Sequence, residues 1–109
     1  MQMTDMIEQI IKSHKLTFYR MRMDHTALVG AEDGCSYSVL QIRLNGAMGD
    51  LIRAFGDSAP DILLNSQDPS VHNYRMTPRK LRELMMTEKK DMAKRDWFQW
   101  PYSGDMGGV

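Results

Sequence analysis

Apolar residues recur at helical spacing from the start of the chain, with Met3, Met6, Ile7, Ile10 and Ile11 on one stripe. That spacing predicts an amphipathic helix over residues 4–14, and Asp5 followed by Glu8 reads as its capping box. From Leu16 the period drops to two. Tyr19, Met21 and Met23 take one side, while Arg20, Arg22 and Asp24 take the other. Leu16 and Phe18 give that polar side an apolar start. A strand with one solvated face is expected there.

Two further β-favouring runs, 26–29 and 36–44, are separated by Gly30, Asp33 and Gly34. Because an Asp-Gly pair tolerates positive φ, this reads as a hairpin. In its second strand Leu40, Ile42 and Leu44 point one way and Tyr37, Val39, Gln41 and Arg43 the other, which leaves the sheet an apolar face for helices to cover. Asn45 is then the expected cap of a second helix. Its stripe is Met48, Leu51, Ile52 and Phe55, Gly49 weakens its interior, and Gly56 ends it.

Residues 57–76 hold Pro60, Pro69 and several Asn, Asp and Ser around Ile62, Leu63 and Leu64. This pattern predicts loop with one short anchored element. Thr77 followed by Pro78 is a helix start, since Pro at the first helical position forfeits no needed donor. Leu81, Leu84, Met85 and Met92 form a narrow stripe on an otherwise charged helix reaching residue 95. The predicted fold class is therefore α+β: a small antiparallel three-stranded sheet covered by two helices, with a third, charged C-terminal helix. Residues 1–102 form a single domain in this reading, and 103–109 a flexible Gly-rich tail.

A length of 109 residues suits one modest core. Fourteen basic residues balance fourteen acidic ones, so the chain as a whole lacks the positive excess of a protein that coats nucleic acid or an anionic membrane. One cysteine, Cys35, forms no intrachain disulfide. With no secretory leader pattern and no run of transmembrane length, a cytoplasmic location without a membrane partner is expected. Eleven methionines suit either irregular core gaps or adaptable binding surfaces.

The chemistry-bearing residues are scattered. His14, His25, His72 and Cys35 lack the short paired spacings of zinc ligands, and Asp24 beside His25 in a strand would point to the opposite face. The predicted order of helix, three strands and helix resembles the core of restriction-endonuclease-like nucleases. Those carry a carboxylate, a spacer and a lysine where this chain has Gln41, Ile42 and Arg43, so a Mg²⁺ site would lack a main ligand. No phosphate-binding loop, dinucleotide glycine signature or Gly-flanked nucleophilic serine occurs. No catalytic, cofactor-binding or metal-ligating residue is assigned, no cofactor is expected, and the protein is read as a non-enzyme.

Interaction residues stand out more. Trp97, Phe98, Trp100 and Tyr102 gather both tryptophans at one end, with Met86 and Met92 as an adaptable rim. The leading expectation is a small binding protein, a regulator or inhibitor of the viral or mobile-element accessory type, docking on a larger macromolecule, a protein first of all, through this segment and the last helix. Nucleic-acid binding through Arg75, Arg79, Arg82 and Lys89 is the alternative, against a solvated face whose charges pair among themselves. Third comes a small enzyme or a ligand-binding homo-oligomer. A fold-back of the aromatic run onto the protein's own core competes with every docking role.

Overall fold

A computed structural model describes residues 2–31, 33–65 and 73–92, with 88–92 described as helix only. The first helix, α1 (Met3–Ser13), buries Ile7 and Ile11. Its N-terminus differs from the capping-box reading. Gln2 is the extended N-cap and makes no side-chain bond, and Asp5 lies inside the first turn, where its charge complements the helix dipole.

Strands β1 (Leu16–Met21) and β2 (Thr26–Ala31) form an antiparallel hairpin. Phe18 pairs with Val29 and Arg20 with Leu28, so Tyr19 is an extra residue in β1. This bulge splits the predicted faces: Met21 stays on the core side, while Tyr19 turns outward with Arg20. Leu16 and Phe18 join the core, and Tyr19 is 58% exposed. The turn is held by Asp24, whose Oδ1 accepts from the backbone N–H of Thr26 at 3.1 Å.

The largest correction concerns residues 36–44. They are the cap and first turns of helix α2 (Tyr37–Phe55), not the second strand of a hairpin. Ser36 caps it through its Oγ, which accepts from the Val39 N–H at 3.4 Å. Gly34 does adopt φ +62°, but it leads into a helix. Leu40, Leu44, Ala47, Met48 and Leu51 form the buried stripe. Asn45, expected to cap, is instead buried in the helix interior. Gly56, at φ +62°, ends α2 as predicted, its N–H donating to the Ile52 carbonyl.

With α2 as a crossover, β3 (Asp61–Leu64) runs parallel to β2, and β4 (Tyr74–Met76) returns antiparallel to β3. The sheet is thus four-stranded and mixed, in the order β1-β2-β3-β4, rather than three-stranded and antiparallel. Helix α3 (Pro78–Met92) starts where Thr77 and Pro78 predict, with Thr77 Oγ1 accepting from the Lys80 N–H at 3.0 Å. Ala27, Val29, Ile62, Leu64 and Met76 share one core with residues of α1, α2 and α3, so all three helices cover the same face of the sheet. Fully buried Leu81 fastens α3 to that core, and its truncation to Ala would cost about 2–5 kcal/mol. Among the described residues no helix is long and apolar enough to cross a membrane.

Candidate functional site

Because α3 buries Leu81 and partly buries Leu84 and Met85 against the core, residues offset by about half a turn face outward. Arg79, Arg82, Glu83, Met86 and Thr87 recur at spacings of three and four on that outer side and, with Asp57 from the 3₁₀ turn Gly56–Ser58, line an open groove. Met86 is 59% exposed. It gives the groove an apolar, conformationally adaptable floor.

The groove's charges are matched in sign. Arg82 pairs with Asp57 across the two elements, and Arg79 Nε lies 3.6 Å from Glu83 Oε1 one turn on. Arg75, on β4, pairs with Asp61 of the neighbouring β3, its Nε 3.2 Å from Oδ2. The three arginines of the expected phosphate-binding stripe that have described side chains therefore each engage a carboxylate. Exposed pairs of this kind add little stability, but they lower the positive potential that a polyanion would meet. Arg75 also stands on the sheet rather than on α3, so the stripe is not one helical face. The side chains of Lys89 and Met92, and the whole run Trp97, Phe98, Trp100 and Tyr102 with the tail 103–109, lie outside the described residues.

No family model, curated protein or solved structure matches this chain.

Two clusters escaped the sequence reading. His14 Nε2 lies 2.6 Å from Asp50 Oδ2, and Asp50 also pairs with Arg53. The other ring nitrogen rests against α2, where a Cβ on Gly46 would fall 2.8 Å from it. With one nitrogen on Asp50 and the other against Gly46, the imidazole clamps α1 to α2 and is poorly placed to reach a substrate. The partners are 36 positions apart, a separation that leaves no local signature. A second cluster joins α2, β4 and α3. Tyr37 and Tyr74 meet edge to face at 5.8 Å, Gln41 donates to the Tyr74 hydroxyl at 3.0 Å, and Lys80 Nζ sits 5.7 Å from the Tyr74 ring centre.

The remaining sequence candidates do not converge. His25 takes φ +64° in the β1–β2 turn, while Asp24 turns to Thr26, whose hydrogen bonds hold its carboxyl below the ordinary carboxylate value. No Asp24–His25 dyad forms. Gln41 and Arg43, which would stand at the nuclease-like position, lie on α2 rather than on a strand, so that topological resemblance ends. Cys35 is half-buried beside the core, and His72 lies outside the described residues. Among the described residues no three His, Cys, Asp or Glu side chains group to hold a metal ion.

Proposed function

We propose that this chain is a small non-enzymatic binding protein that docks on a larger protein through the outer face of α3. The observation that carries the reading is the α3 groove, where Met86 is 59% exposed between one cross-element and one intrahelical ion pair. Protein interfaces combine an apolar anchor that excludes water with a polar rim of both signs, and this groove has that composition. In the sequence α3 leads on to Met92 and the aromatic run from Trp97 to Tyr102, so the anchor of the proposed interface extends C-terminally. A regulator or inhibitor is the role that suits such a chain, because occupying a partner's surface requires no catalytic group of its own.

Co-purification with the tagged full chain tests the reading. A protein partner retained by the wild type and lost with Met86→Glu, at unchanged thermal stability, supports it. Undiminished partner binding by Met86→Glu contradicts it.

A further inference from the structure

The face of the sheet opposite the helices is buried along β2, where Thr26 is 4% and Leu28 7% exposed, but its β1 edge is exposed and forms a second surface, independent of the α3 groove. Strand alternation gives this face Thr17 from β1, Thr26, Leu28 and Gly30 from β2, Asp61 and Leu63 from β3 and Arg75 from β4, which pairs with Asp61, since their neighbours Phe18, Ala27, Val29, Ile62, Leu64 and Met76 belong to the core. Tyr19 follows core-facing Phe18 and so points to this face, and the bulge lets Arg20 point the same way instead of returning to the core side. The ring of Tyr19 lies over Gly30. A Cβ on Gly30 would sit 2.9 Å from Tyr19 Cε2, 3.2 Å from its hydroxyl and 2.9 Å from the Asn65 carbonyl oxygen. Only glycine at that position leaves room for the ring. The bulge and the glycine together hold an aromatic ring, 58% exposed, at the β1 edge of this face beside Arg20.

The next residue supplies charge. Arg20 pairs in register with Leu28 and therefore shares this face. It is exposed, and no carboxylate engages it among the described residues, unlike Arg75, Arg79 and Arg82. Arg22, further along the same chain direction, is only loosely offset by Asp24 at 3.9 Å. An exposed ring beside the Arg20 guanidinium matches a ligand that alternates flat π-faces with negative charge. A protein partner fits this face less well. Leu28 is already 93% covered, being 7% exposed, which leaves the ring without the apolar surroundings that a desolvated protein interface needs.

We propose that the β1 edge of this sheet face binds single-stranded nucleic acid, with a base stacked on Tyr19 and the adjoining phosphate contacted by Arg20. The chemistry is shared by RNA and DNA, and a duplex, whose bases are already stacked on one another, offers no free face to the ring.

Fluorescence anisotropy of the full chain with fluorescein-labelled oligo-dT and oligo-U of about 15 nucleotides, at about 50 mM salt, tests this. One or both single strands bind more tightly than a duplex of the same length. Tyr19→Phe keeps the affinity, whereas Tyr19→Ala weakens it about tenfold, as the loss of one stacked base implies. Arg20→Gln lowers the salt slope by about 0.7, the value for one phosphate contact on a single strand. Met86→Glu and Arg82→Gln leave binding unchanged, which separates this surface from the α3 groove. Absence of binding to both oligonucleotides, equal affinity for the duplex, or wild-type affinity and salt slope in Tyr19→Ala and Arg20→Gln would overturn the proposal.

Discussion

His14 and Gly46 are fitted to one another: a Cβ at position 46 would lie 2.8 Å from Nδ1 and 2.9 Å from Cε1 of the imidazole. Glycine inside a helix is ordinarily a defect that alanine repairs by about 1 kcal/mol. Here the added methyl displaces a ring whose Nε2 is 2.6 Å from Asp50, and a hydrogen bond to a charged group contributes about 1.5–3 kcal/mol. Gly46→Ala therefore destabilises the protein by about 1 kcal/mol net. In a His14→Ala background its sign reverses, and the same substitution stabilises by a similar amount. A double-mutant cycle by urea denaturation measures this coupling. Equal effects in both backgrounds would show that the ring and the glycine are independent.

Arg43 grips Asp33 with two parallel bonds of 2.9 Å, and its side chain is only 17% exposed. The guanidinium holds the Asp33 carboxyl down to about 2, from an ordinary 3.8. A depressed carboxylate contributes stability that is present above its unfolded value and is lost as the pH falls through its folded one. The wild type is thus more stable than Asp33→Asn near neutrality, and the gap narrows as the pH drops from about 4 to about 2. Urea midpoints across that range check it. A gap that stays constant would mean that the pair makes no ionic contribution.

Sequence patterning located α1, α3 and the start of β1 because each has a local cause: an apolar stripe, a Thr-Pro start, a change of period at Leu16. It failed over residues 37–44 for an equally physical reason. Leu40 and Leu44 are four apart and lie on one helical face, but Ile42 between them completes an alternation that reads as strand. Ile42 is 53% exposed and Val39 39%, so these two apolar residues sit on the helix surface and imitate a period of two. Once α2 is displaced to begin at Tyr37, the parallel pairing of β2 with β3 follows from the crossover. The bulge at Tyr19 and the clamp between His14 and Asp50 are products of tertiary pairing and have no sequence signal. Of the candidate site, Met86 and the arginines were legible as residues, but their pairing with Asp57 and Asp61 was not. Both acids lie in the stretch 57–76, whose composition predicts mostly loop.

Among the described residues Asn45 Oδ1 is buried without a hydrogen-bond partner, in a residue that is 9% exposed in the interior of α2. Burying an unsatisfied polar atom costs about 1–3 kcal/mol, and asparagine is a poorer helix former than alanine. Against this stands the smaller packing loss on shortening the side chain. Asn45→Ala is expected to raise stability by about 1 kcal/mol, or about 5 °C in Tm. Calorimetry decides it, and a fall in Tm would mean that the amide is satisfied in solution.

The central claim is that the outer face of α3 binds protein rather than phosphate. Its most direct measurement is what co-purifies with the tagged chain at about 50 mM and about 500 mM salt, compared among the wild type, Met86→Glu and the double variant Arg79→Gln, Arg82→Gln. The account predicts a protein partner that persists at high salt, is lost with Met86→Glu and is largely kept by the double variant. Nucleic acid that co-purifies at low salt, vanishes at high salt and is lost with the double variant but not with Met86→Glu would contradict it.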